Sequence, residues 1–141
     1  MKSLFIRFSI IAFFVLIVFL SVGCDQDTVI DWISVGEPGT PSFQNSWVND
    51  TTGDYEACRF GRDGMNYGYI TGRVSGGSDA SVIFTLPENY RPSTESSFIV
   101  TGNSSYATVS VQIDGDVYVT LETNAGSSNW IDFGDLRFIC E

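Results

Sequence analysis

The chain holds few residues that could do chemistry, and one type is missing altogether. None of its 141 residues is a histidine. That removes the side chain that most often serves as general base or metal ligand near neutral pH. With it go the Ser–His and Cys–His arrangements of nucleophilic catalysis. Carboxylates are plentiful, 17 against seven Lys and Arg, and a pair of them is formally enough for acid–base hydrolysis. They are scattered, however, through Gly-, Asn- and Ser-rich stretches, where acids are ordinary turn residues. Asp114-Gly115-Asp116, and Asp132 with Asp135, offer oxygens of the kind calcium takes, but neither has the spacing of a dedicated loop. No catalytic residue, metal site or cofactor is expected, and the chain reads as a non-enzyme. Recognition chemistry is left to flat rings that stack on sugar faces and hydrogen-bond at their polar edges. The candidates are Trp47, Trp130, Tyr55, Tyr67, Tyr69, Tyr90, Tyr106 and Tyr118. In a domain this small most such rings serve the core or a subunit interface.

Three cysteines remain, and the first lies at a sharp compositional boundary. Lys2 and Arg7 open the chain, a run from Phe8 to Leu20 is apolar apart from Ser9, and Ser21-Val22-Gly23-Cys24 follows. That is the layout of a secretory signal peptide. A cysteine directly after a small residue at the end of such a run resembles the lipobox of bacterial lipoproteins, although Ser21 stands where Leu, Val or Ile is usual. In that family the peptide is cut before the cysteine, whose thiol and new amino terminus are acylated. Two or more acyl chains hold a protein stably at a membrane where one does not. The same run is near the length of a spanning helix, so an uncleaved anchor, or plain secretion with Cys24 as a free thiol, are the alternatives. The resemblance implies a signal peptide at 1–23, an acylated Cys24 with a linker to residue 42, and a domain at 43–141. It also implies a lipid-anchored protein of the cell envelope that faces outside the cytoplasm. Asp25 resembles the inner-membrane retention signal of enteric lipoproteins.

The mature chain would keep five arginines, no lysine and 17 acids. A surface so acidic repels nucleic acid and anionic headgroups, so nucleic acid is excluded as a partner. With Cys24 acylated, Cys58 and Cys140 form an even remainder in an oxidising compartment. A Cys58–Cys140 disulfide is expected, closing a long loop worth about 4–5 kcal/mol on the chain-entropy account; two buried free thiols are the alternative. The sequons at Asn49-Asp50-Thr51 and Asn103-Ser104-Ser105 are treated as chance.

The elements that position these residues are strands. Residues 25–42 begin acidic and end in Gly and Pro. They predict a turn-rich tether with one apolar cluster, Val29-Ile30 and Trp32-Ile33, that docks on the domain. From Phe43 onward, segments 55–60, 67–74, 80–86, 97–101, 106–113, 117–122 and 130–140 are rich in β-branched and aromatic residues and separated by turn formers. Seven short strands at this spacing predict an all-β, antiparallel, jelly-roll-like sandwich behind the N-terminal signal helix. The hairpin at Asp114-Gly115 is more specific. Apolar residues alternate at Ala107, Val109, Val111 and Ile113, and again at Val117, Val119 and Leu121. Directly paired residues share a face. A two-residue turn would pair Val111 with Tyr118 and split the apolar sets between faces. A three-residue loop with Gly115 left-handed pairs Val111 with Val117, Val109 with Val119 and Ala107 with Leu121. Tyr118 then faces away from the core.

With the strands placed, SFQNSWVN at 42–49, YGYITGRVSGG at 67–77, VIFTLPENYRPS at 82–93, VSVQIDGDV at 109–117 and NWIDFGDLRF at 129–138 occur in order. This series resembles the C-terminal module of bacteriophage tail fibres and receptor-binding proteins, over about 100 residues. Its most specific piece is Phe84-Thr85-Leu86-Pro87 followed by Tyr90-Arg91-Pro92. Asn89, the Gly134-Asp135 order and the two cysteines depart from the pattern, and a tail fibre needs no signal peptide. The resemblance implies a compact sandwich that assembles as a homotrimer and contacts a saccharide or protein on a cell surface. The ligand-contact candidates are Tyr118, Tyr90, Arg91 and Trp130. Pro87 and Pro92 make the segment between them a rigid turn, across which Arg91 is expected to pair with an acid. The reading is thus a membrane-anchored lipoprotein displaying a tail-fibre-like binding module. The alternative is a prophage-encoded structural or phage-exclusion lipoprotein without a small ligand.

Overall fold

A computed structural model describes residues 29–103, 105–121 and 129–141. The leader and Cys24 lie outside the described residues. Among those described, regular structure is strand apart from one short 3-10 turn. The strands are β1 (Asp31–Ser34), β2 (Val48–Asn49), β3 (Arg59–Arg62), β4 (Tyr67–Ser75), β5 (Ser81–Thr85), β6 (Ser96–Gly102), β7 (Ser105–Val111), β8 (Asp116–Leu121) and β9 (Trp130–Ile139).

All of them join one antiparallel sheet in the order β1-β3-β4-β9-β6-β7-β8-β5, with β2 pairing β4 off that path. The sheet is curled as a half-barrel, so its two halves face each other as the leaves of a sandwich do. Its narrow point is the β6–β9 junction, where only Thr101↔Asp132 and Gly102↔Ile131 pair. Curling brings β3 and β5 face to face, and Phe60 stacks on Phe84 at 6.1 Å between ring centroids.

Seven expected strands are present, most within a residue or two of their predicted ends, and two more join them. β1 is the apolar cluster of the tether. Its four residues are too short to signal a strand by alternation, but Trp32↔Gly61 and Ile33↔Phe60 register it on β3. The first expected strand starts late: β3 begins at Arg59, and Ala57 makes only an isolated bridge to Arg73.

The 113–115 hairpin has the bulged three-residue loop. Val111 faces Val117, Val109 faces Val119 and Ala107 faces Leu121. Gly115 sits at φ +96° and donates to Gln112 O at 2.9 Å. All of this set is buried except half-buried Leu121 and Ile113, which sits at the loop's exposed tip. The core continues through Ile70 and Val74 of β4, Ile131, Phe133, Leu136 and Phe138 of β9, and Ile83, Phe84 and Leu86. Each large apolar side chain so buried contributes about 1.5–3 kcal/mol.

Cys58 and Cys140 are both buried and both free. The expected disulfide is absent because β4 separates them. Cys58 precedes Arg59, which pairs with Thr71, whereas Cys140 N–H donates to Asn66 O at the other end of β4. Five positions of strand between Asn66 and Thr71 amount to about 16 Å, far beyond the roughly 7 Å limit between bridged Cα atoms.

Candidate binding site

The outer face of β4 carries Tyr67, Tyr69, Thr71, Arg73 and Ser75, and β9 lies beside it. Strict alternation along β9 would bury Asp135 once Asp132 points outward. The register instead shifts between Thr71 and Arg73: Thr71 pairs with Asp135 while Arg73 pairs with Asp132. One extra residue on β9 makes a bulge. Asp132 and Asp135 therefore share the outer face with Arg73, and Leu136 returns to the core.

Arg73 is the centre of this face. Its guanidinium lies between two rings, 3.9 Å from the centroid of Tyr55 and 3.7 Å from that of Trp130. Its Nε is 2.8 Å from Asp50 Oδ2, in an ionic contact whose N–H is not aimed at the oxygen. The two side chains are 12% and 3% exposed. Asp50 is fixed in turn by Thr52, which donates its hydroxyl at 2.6 Å and its N–H at 3.0 Å to Oδ1. These two bonds, with the charge of Arg73, hold the Asp50 carboxyl below its usual 3.8 against the opposing effect of burial. The main chain is tied at the same place, since Asp50 N–H donates to Arg73 O and Arg73 N–H to Glu56 O. The segment from Asp50 to Ala57 is thus strapped across β4. Within the described residues the Nη edge of Arg73 has no acceptor. A planar donor, held from one end and both faces, remains open along that edge.

Two cavities share Arg73 as a wall. One, of about 280 Å³, adjoins Tyr55, Glu56, Asp132 and Asp135. The other, of about 320 Å³, adjoins Thr52, Ser75, Asn129 and Trp130. Asn129 donates Nδ2 to Gly77 O at 2.8 Å, and its buried Oδ1 has no partner among the described residues. Ring faces, a fixed guanidinium and the hydroxyls of Thr52 and Ser75 together offer both donors and acceptors beside an apolar wall. A small polyhydroxylated ring needs that combination.

The four expected contacts are not brought together. Trp130 is in the site. Tyr90 packs edge-on against Phe60 at 5.0 Å and belongs to the core wall. Arg91 meets no acid: its Nε donates to Leu86 O at 3.3 Å beside the Gly115 turn. Tyr118 is half-buried on the outer face of β8, between Ser110 and Val82. Three strand spacings separate β8 from β9 in the sheet, about 14 Å. Of the other rings, Trp47 is buried in the core, Tyr55 is in the site, and Tyr67 and Tyr69 lie on the same face. Tyr106 is exposed on β7.

Sequence reasoning missed Arg73 and Asp50. Arg73 is the outward position of a well-predicted strand, so its direction could have been read. Asp50 was hidden in a chance sequon, and that sequon's Asn49 is engaged in accepting Cys58 N–H at 2.8 Å. The acids weighed for calcium serve their own turns, with Asp114 accepting Asp116 N–H and Asp132 accepting Gly134 N–H. Among the described residues no three acids, cysteines or histidines converge as metal ligands.

No protein-family profile and no curated protein matches the sequence. The fold resembles a phage receptor-binding protein. The crystal structure of the receptor binding protein (gp15) of Listeria phage PSA matches at a TM-score of 0.55 and 15% identity, covering 99% of this chain and 76% of that one. At that identity the likeness concerns the fold, and it agrees with the tail-fibre resemblance of the sequence. The clamped Arg73 is a feature of this chain's own residues.

Proposed function

We propose that this chain is a non-enzymatic, lipid-anchored binding protein of the bacterial cell envelope, and that its β-domain takes a surface saccharide in the cleft at Arg73. One observation carries the reading: the guanidinium of Arg73 is gripped by Tyr55 and Trp130 with its Nη edge left open between two cavities. A sugar ring is held by stacking and by hydrogen bonds to hydroxyls, and its binding gains when those groups are immobile beforehand. The anchor rests on the leader and Cys24, and the role in binding is supported by the fold shared with a phage receptor-binding protein. The homotrimer implied by the tail-fibre resemblance belongs to the same proposal.

The test is to titrate the full chain, in detergent, with a panel of envelope-polysaccharide oligosaccharides while following tryptophan fluorescence. At least one class is expected to bind, and Trp130→Ala to weaken it about tenfold or more, in line with loss of a stacked, hydrogen-bonded contact. Absence of any binding, or full affinity in both Trp130→Ala and Tyr55→Ala, would overturn the assignment.

A further inference from the structure

The described residues include five arginines, of which three have hydrogen-bond acceptors and a fourth, Arg73, an ion-pair partner. Arg59 pairs with Glu56 at 3.0 Å, Arg62 donates to Asn66 Oδ1 and Glu141 O, Arg73 contacts Asp50, and Arg91 donates to Leu86 O. Arg137 has no hydrogen bond or ion pair among the described residues. Its guanidinium carbon lies over Tyr67, 3.6 Å from the ring centroid, and 6.0 Å from that of Tyr69. Arg62 and Arg91 also lack a side-chain carboxylate, but each donates to an amide or carbonyl oxygen; among the described arginines Arg137 alone has neither.

The surroundings explain why no internal acid takes it. Asp63 is close enough for Arg137 to help lower its carboxyl, but that carboxylate already accepts Met65 N–H, Tyr67 N–H and the Tyr69 hydroxyl, each at 2.9 Å. Those bonds fix the Tyr69 side chain and the main chain at Tyr67. The neighbouring acid on β9, Asp135, lies one outward row away beside Thr71. The ring of Tyr67 offers no hydrogen-bond acceptor to the guanidinium in the way a carboxylate would, so its N–H donors remain available.

Arg137 and Arg73 stand on the same outer face. Arg137 pairs with Tyr69, four positions along β4 from Arg73, a span of about 13 Å. A short oligosaccharide seated at Trp130 and running along β4 would pass over it. Trp32, edge-on to Tyr69 at 6.4 Å, extends that surface towards β1. We infer that Arg137 is an acid-recognising subsite, and that the saccharide bound by this protein carries a uronic-acid carboxylate. The inference rests on the saccharide reading above and adds the charge of the ligand. A carboxylate suits the site because its two oxygens match the planar guanidinium fork.

The experiment compares trigalacturonate with its fully methyl-esterified form, which keeps the ring shapes and removes the charges. Both are titrated calorimetrically against the full chain in detergent. The acid is expected to bind about tenfold tighter than the ester, the scale of a hydrogen bond to a charged group. Arg137→Gln is expected to abolish that preference by bringing acid binding down to the level of the ester, and Arg137→Lys, which keeps charge but not the fork, to recover part of it. Because the contact is local, the preference should persist at an ionic strength where diffuse attraction is screened. Equal binding of acid and ester, or a preference that survives Arg137→Gln, would overturn the inference and leave the saccharide reading standing. Failure of both forms to bind would remove the two together.

Discussion

Neutralising Asp50 asks whether the Arg73 clamp is held as its geometry implies. Asp50→Asn preserves shape, and the Thr52 donors still find an oxygen, but Arg73 keeps a full charge without its counter-ion. Breaking a buried pair from one side costs about 3–5 kcal/mol. Arg73 is 12% exposed, and each ring face offers its cation about 0.5–2 kcal/mol, so the loss should fall to about 2–3 kcal/mol. A domain of this size shifts its midpoint by about 4 °C per kcal/mol, which gives a drop of roughly 8–12 °C. Arg73→Met should cost a similar amount, because it strands the Asp50 carboxylate in a site where that side chain is 3% exposed. The double variant removes both charges and retains a flexible apolar chain between the rings. It should be more stable than the sum of the singles by more than about 1 kcal/mol. Urea and thermal unfolding, followed by circular dichroism and tryptophan fluorescence, measure all four corners of the cycle. If each single variant lies within about 0.5 kcal/mol of the parent, or the two losses simply add, the pair is not a buried clamp.

Gly77 lies against the buried indole of Trp47, and a Cβ there would overlap the ring. Gly77→Ala should therefore displace Trp47 from its 3.0 Å bond to Ser81 Oγ and cost about 2–4 kcal/mol; an unchanged melting midpoint would contradict the packing. The pH profile follows from two carboxyls on the acid side and from one tyrosine and two thiols on the alkaline side. Asp50 and Asp63 are held below 3.8, so what they contribute is present above that pH and is lost as pH falls below it. Tyr69 is raised above 10.0, by burial first and then by its bond to Asp63, so its contribution is present below pH 10 and is lost as pH rises further. Burial also raises the thiols of Cys58 and Cys140 from 9.0, so stability should be flat from pH 3.8 only to about pH 9; Asp63→Asn should flatten the acid limb, and an acid limb as steep in that variant as in the parent would refute the role given to Asp63.

Much of the fold was legible because its signals are local. Parity alone specified the 113–115 loop, since a one-residue slip would have moved a full apolar set to the outer face. The turn from Leu86 to Arg91 was legible as rigid, but its arginine was not: Arg91 finds a carbonyl beside Gly115, a partner set by tertiary packing. β1 was hidden by its length, and the cysteine pairing failed because parity of count says nothing about distance along β4. Arg73 stayed obscure for a related reason. Its partners come from positions 50, 55 and 130, and no pattern within one segment joins them.

The bulge in β9 links fold to site more closely than any single contact. Without it, Asp132 facing outward would force Asp135 inward and Leu136 outward, setting a carboxylate in the core beside Ile70. One added residue restores the apolar alternation, with Leu136 against Ile70 and Phe138 against Gly68. The same step turns Asp135 and Arg137 to the face already occupied by Arg73, Tyr67 and Tyr69. Core and recognition surface are therefore coupled through backbone register rather than through a chain of side-chain contacts. Side chains on that face can change without disturbing the core, whereas removal of the extra residue must disrupt both. A strand of this kind can keep one fold while its outer residues change. That separation fits the 15% identity at which this chain shares its fold with the Listeria phage protein.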